Sequence, residues 1–267
     1  NSGKARHIID KDYKANRKTE WRRGVVKSYD FLNEREYKDS FTFQLNRIND
    51  YLSVLPVKSI SVPYIEADDI IAEIVNTVNS DCIIYSTDAD FKQLVNERVV
   101  CYNPMAKQLT TKTSFKEKFG FLPENFIYYK MIIGDKSDGL PGINGIGPKP
   151  FLKLFPNAAT EVIESTNDLL EYSEFAASAK AKDISKATKD KHRLIIESEE
   201  LLKKNWSLMQ LKDADISIQT KDLVRELIES PVPKFDRLSL RKMFILDKLQ
   251  SQVKSFDDWS RVFSRLM

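Results

Sequence analysis

The chain is poor in the residues that hold small extracellular scaffolds together, with only two cysteines among 267 residues. Cys82 and Cys101 stand in apolar, strand-like surroundings, DCIIYS and VVCYN. That excludes a disulfide framework or a cysteine zinc site and predicts a reducing, cytoplasmic compartment. No apolar run is long enough to span a bilayer and no secretory signal opens the sequence, so no membrane partner is expected. Glycine is scarce too, with eight residues, four of them inside Gly139–Lys149. This GLPGINGIGPK stretch matches neither a Walker loop nor a dinucleotide fingerprint, which removes the commonest nucleotide-binding motifs. There is no internal repeat and no low-complexity tract. What remains, 42% hydrophobic and 30% charged, is the composition of an ordinary globular protein, long enough for one large core or two domains.

The net charge of +3 conceals an asymmetry. Residues 1–27 carry nine Lys or Arg against Asp10, Asp12 and Glu20, a net of +6, which leaves −3 for the rest. A basic segment joined to an acidic body points to a polyanion held by the first and processed by the second. The plainer alternative is a solvated, charged helix.

Periodicity gives the organisation. Apolar residues recur at helical spacing from Val25 to about Leu55. KSISV at 58–62 reads as a strand ended by Pro63, Glu66–Val78 as a helix, CIIYS at 82–86 as a buried strand, and VVCYN at 99–103 as another. A short helix through Phe91 and Leu94 lies between the last two. Strands alternating with helices predict an α/β fold with a mostly parallel sheet flanked by helices. In such sheets a site forms beyond the carboxyl ends of the strands. From Leu122 onward the pattern is mainly helical, and helices bearing aromatic residues are expected after Leu238.

Two acidic clusters occupy those strand ends, Glu66, Asp68 and Asp69 after one and Asp88 and Asp90 after the next, and a third, Asp135 and Asp138, lies in a loop beside the glycine-rich stretch. Each has a local explanation. Acids in a first helical turn favour the helix dipole by about 0.3–1 kcal/mol, and Asp is common in turns and caps. Three acids within four residues exceed what capping needs, and carboxylates gathered by folding repel unless cations neutralise them. Beside the third cluster, Gly142, Gly145 and Gly147 allow backbone amides to face outward toward a phosphate, with Lys149 adding charge. The G-I-x-G-I-G-x-K pattern is helix-hairpin-helix-like, a form that grips a nucleic-acid backbone without reading bases.

YIEADDIIA (64–72), IYSTDADFKQL (84–94) and IGDKSDGLPGINGIGPK (133–149) together resemble the 5′ nucleases: flap endonucleases, the 5′-exonuclease domain of bacterial DNA polymerase I and, closest in look, phage-type ribonuclease H. YKANR (13–17) is similar to the basic motif of that family's helical arch. The resemblance implies a PIN-like 5′ nuclease core over residues 1–135 with the arch at about 1–27. A helical region follows over 136–267, its hairpin motif at about 139–155. It implies a hydrolase that cuts phosphodiester bonds by a two-metal mechanism in DNA replication or repair. Glu66, Asp68, Asp69, Asp88, Asp90, Asp135 and Asp138 would surround two Mg²⁺ ions, with Mn²⁺ as a substitute. Lys14 and Arg17 would act on the phosphate, and Lys4, Arg6, Lys11 and Lys18 would join them in holding nucleic acid. Gly142, Gly145, Gly147 and Lys149 would hold the downstream duplex, with K⁺ at the hairpin.

The expected substrates are DNA with a 5′ flap or nick and RNA–DNA hybrids. The expected partners are a replication polymerase, clamp or single-strand-binding protein, with the nuclease itself a monomer in the cytoplasm of a bacterium or phage-infected host. Two departures stand out. Gly139 replaces a usual Asn. The family's opening strands, with an Asp-x-Asn motif and a further Asp, have no counterpart before Asn1. That second departure keeps open a rival expectation, a nucleic-acid-binding module with impaired catalysis.

Overall fold

The computed structural model describes residues 4–14, 33–147, 149–213 and 216–266. Arg17, Lys18, Pro148 and most of the expected arch lie outside them. The contacts divide the chain into two interleaved units, residues 1–17 with 63–221, and residues 18–62 with 222–267. The boundary expected between residues 135 and 136 falls inside the first unit.

The first unit contains a three-stranded sheet. Strand β1 (Cys82–Tyr85) pairs in parallel with β2 (Val99–Asn103), and β2 pairs antiparallel with β3 (Gln108–Thr110). The β3 strand is too short to show as periodicity in the sequence. Residues 58–62, read as a strand, are irregular. Their apolar–polar alternation suits a pleat, but among the described residues they pair with no strand, and an unpaired β backbone has no ladder to hold it. Helix α1 (Lys4–Ile9) opens the described chain, and α3 (Ala67–Thr77) packs Ala72 and Val75 against Ile84 of β1 and Val99 and Cys101 of β2. A 3₁₀ turn at Asp90–Leu94 adds Phe91 and Leu94 to this core.

A second, larger core joins helices α4 (Lys112–Phe119), α5 (Phe126–Ile133), α6 (Phe151–Leu154), α7 (Thr166–Ala177), α8 (Lys186–Glu197) and α9 (Glu199–Met209). Its centre is aromatic: Phe115 meets Phe121 and Phe126 edge-on at centroid distances of 5.6 and 5.5 Å. Asn205 of α9 is fully buried and donates to the carbonyls of Met131 and Pro141, each at 2.9 Å, tying α9 to the end of α5. The two-residue strands β4 (Gly134–Asp135) and β5 (Leu140–Pro141) pair antiparallel and close the loop carrying the third acidic cluster.

In the second unit, α2 (Glu34–Ser53) presents Arg47 and Tyr51 to Asp247, at the end of α11 (Arg237–Leu246). Asn33 caps α2 through the Glu36 amide. Phe244 stacks on Trp259 of α12 (Phe256–Ser260) at 5.6 Å. Helix α10 spans Ile218–Glu229. No helix among the described residues is long and apolar enough to cross a membrane.

Candidate active site

The three acidic clusters, separate in sequence, meet in the first unit. A small cleft is lined by Asp68, Asp88, Asp90 and Asp138 together with Arg6, Tyr13 and Lys14. Leu208, Met209 and Leu211 form its apolar wall. Gln93 fixes that wall from both sides: its amide nitrogen donates to the Met209 carbonyl at 3.1 Å, and its oxygen accepts from the Leu211 amide at 2.9 Å.

Glu66 stands at the N-cap of α3, yet its side chain makes no capping bond. Its Oε2 instead accepts from Arg6 Nη1 at 2.6 Å and from Lys14 Nζ at 2.8 Å. Arg6 Nη2 donates to Asp69 Oδ1 at 2.7 Å. All three pairs are largely buried. The capping explanation therefore fails for Glu66, which holds cations instead. Asp68 faces the cleft, and among the described residues it forms no ion pair. Burial first, then the neighbouring charges of Asp88 and Glu66, push its carboxyl up to about 6, against the pull of Lys14 and Arg6.

Asp88 is exposed, and its Oδ1 accepts from the Asp90 amide at 2.9 Å, an Asp turn. The turn explanation thus holds for one of its oxygens. Asp90 is shifted upward by burial, which Lys130 opposes. Lys130 Nζ lies 2.7 Å from Asp90 Oδ1, but off hydrogen-bond geometry, so that buried oxygen has no hydrogen bond. Lys130 also pairs with Asp135. Burial would raise the Asp135 carboxyl, but bonds from Lys130 and Ser137 prevail and bring it down to about 2. Asp138 is buried, and its carbonyl accepts from the Lys14 amide at 3.0 Å. Lys14 takes a left-handed backbone, φ 57, where chain and site meet.

The basic residues expected to touch nucleic acid are dispersed. Arg6 is buried among the acids and Lys14 reaches Glu66 from the cleft. Lys11 is exposed, and Lys4 lies in α1. In the glycine-rich loop, Gly145 (φ 83), Gly147 and Lys149 are exposed. Gly142 has a different reason to be glycine: a Cβ there would stand 2.3 Å from the Ile133 backbone. The adjacent Ile143 amide turns inward to the Ile132 carbonyl. The sequence reading passed over Lys130 and the wall from Leu208 to Leu211. Lys130 had a signal, as the single charged residue in the apolar helix FIYYKMII; the wall had none.

The donor set is hard carboxylate oxygen, which suits Mg²⁺ or Mn²⁺, and the charge on Asp68 and Asp88 is what a divalent cation would neutralise. Among the described residues no three acids form a ready-made metal cage. Arg6, Lys14 and Lys130 hold Glu66, Asp69, Asp90 and Asp135 instead. The residues fit a metal in chemistry, with organic cations presently bound to four of them.

Residues 1–120 match the 5′-3′ exonuclease N-terminal, resolvase-like domain family. A 5′-3′ exonuclease of Aquifex aeolicus is 35% identical over 119 residues, covering 43% of this chain and 41% of that protein. A 5′-3′ exonuclease of Buchnera aphidicola is 30% identical over 145 residues, covering 53% and 50%. The chain thus spans about half or less of these curated relatives. Among solved structures, the T5 5′-exonuclease with bound zinc superposes at a TM-score of 0.61. That match has 21% identity and covers 85% of this chain and 80% of the other, a likeness in fold. The likeness to the 5′ nuclease family lies in the first 120 residues.

Proposed function

We propose that this protein is a divalent-metal-dependent, structure-specific 5′ nuclease that acts on 5′ flaps, nicks or RNA–DNA hybrids in DNA replication or repair. One observation carries the reading: acids from three separate clusters line a single cleft with Lys14 at its side. Asp68, Asp88, Asp90 and Asp138 would hold metal ions, joined by Glu66, Asp69 and Asp135 once their present cations are exchanged. Mg²⁺ bound there supplies Lewis-acid activation of water and neutralises charge on the scissile phosphate. Lys14, with Arg17, binds and orients that phosphate. Gly145, Gly147 and Lys149 follow the backbone downstream, so binding is shape-dependent and salt-sensitive rather than sequence-specific.

A second reading has a specific observation in its favour. With Arg6, Lys14 and Lys130 on the acids, the chain's own cations fill the places a metal would take, and the exposed glycine-rich loop would hold nucleic acid without cutting it. The two readings separate in a 5′-flap assay with Mg²⁺ or Mn²⁺, using the protein with any segment that precedes residue 1. Cleavage is expected, with loss on Asp88→Ala while flap binding persists. Binding without cleavage at any divalent concentration would leave only the second reading.

A further inference from the structure

Lys14 is asked to do two things that cannot happen at once. Its ammonium lies 2.8 Å from Glu66 Oε2, with only 14% of the side chain exposed, so it is not available to a phosphate. The same oxygen takes Arg6 at 2.6 Å, and Arg6 also takes Asp69. Arg6 and Lys14 thus share Glu66, and Arg6 also holds Asp69, next to the cleft faced by Asp68 and Asp88. The Lys14 backbone is pinned where it stands: its amide donates to the Asp138 carbonyl at 3.0 Å and its φ is 57. Only the four-carbon stem is left to move, and a compact ammonium on a flexible stem is suited to such a swing.

We propose that Glu66 is an exchange point that couples divalent-cation uptake to phosphate binding. In the cation-free protein Lys14 serves as counter-ion to Glu66. When a divalent cation occupies the cleft, Glu66 turns to it, Lys14 is repelled, and its ammonium swings out to meet a nucleic-acid phosphate. The inference rests on the metal-dependent reading above and deepens it. Because linkage is reciprocal, nucleic acid must tighten cation binding by the same factor, expected at about five- to a hundredfold. Any cation that binds without displacing Lys14 would show no such coupling.

The test is amine acylation of the folded protein followed by peptide mass spectrometry, with and without Ca²⁺, and Mn²⁺ uptake measured in parallel by electron paramagnetic resonance. Labelling of Lys14 should rise several-fold with Ca²⁺, while exposed Lys11 stays constant as an internal control. In Glu66→Gln, checked for folding by circular dichroism, Lys14 should label strongly with or without Ca²⁺. Uptake of Mn²⁺ with Lys14 labelling unchanged in the wild-type protein would overturn the exchange and leave the metal reading intact. Absence of Mn²⁺ uptake at millimolar concentration would overturn both.

Discussion

Replacing Arg6 with methionine probes a concentrated, buried group of charges. Arg6 is 8% exposed and bonds Glu66 at 2.6 Å and Asp69 at 2.7 Å. Methionine keeps much of the stem and its packing, so the loss isolates the guanidinium. Removing one partner of a buried ion pair costs about 3–5 kcal/mol, because the abandoned charge stays buried. Lys14 continues to serve Glu66, so the abandoned charge is chiefly that of Asp69. At about 2–4 °C per kcal/mol for a domain of this size, Arg6→Met should lower the melting temperature by about 6–20 °C. Mg²⁺ should recover more of that loss in the variant than it adds to the wild type, since a cation that binds only the folded state adds about 2.7 kcal/mol at a hundred times its dissociation constant. The double change Arg6→Met, Asp69→Asn removes the abandoned charge with its partner, leaves Lys14 on Glu66, and should regain most of the stability. Urea melts with and without Mg²⁺ read all three outcomes. A loss under about 1 kcal/mol, or one equally large in the double variant, would refute the charge-balance argument.

Two further outcomes follow from buried polar groups in the helical core. His192 is 1% exposed, contacts Ser173 Oγ at 3.2 Å, and burial holds its pKa down at about 4 against an ordinary 6.5. The folded state thus disfavours the charged ring: this contribution to stability is full above pH 6.5 and is lost as pH falls through 6.5 toward 4. The wild type should lose about 2–3 kcal/mol between pH 7 and 4.5 from this group, and His192→Gln should show a shallower decline in urea midpoints over that window; identical slopes would count against it. Asn205→Ala strips donors from the Met131 and Pro141 carbonyls and should cost about 2–5 kcal/mol in urea melts. A loss below 1 kcal/mol would mean that water replaces both bonds.

What the sequence reveals and hides divides along physical lines. The strand CIIY, the strand VVCYN and the helix at Ala67–Thr77 were legible because each carries its own periodicity, although CIIY, read as buried, leaves Ile83 and Tyr85 exposed. KSISV carried the same signal and formed no strand, since a pleat needs a neighbouring edge and alternation cannot supply one. The acids were legible as residue types placed at strand ends. Their present partners were not, because Arg6 meets Glu66 across 60 residues of sequence. Gly142 was read as an amide turned toward phosphate, when close backbone approach already requires glycine there.

Nothing in the spacing of the acidic clusters indicates which would be neutralised from within the chain. The structure divides them: Glu66, Asp69, Asp90 and Asp135 are held by Arg6, Lys14 and Lys130, while Asp68 and Asp88 are left facing the cleft. An uncompensated set of seven acids would oppose folding before any cation arrived. Three internal cations reduce that repulsion and keep the cleft formed. On the proposed metal-dependent reading, a divalent cation would be drawn first to Asp68 and Asp88, which form no ion pair among the described residues. Exchange at Glu66 comes after, and it is this second step that would release Lys14. The basic residues are therefore better understood as occupants of the site than as a separate phosphate-binding patch beside it.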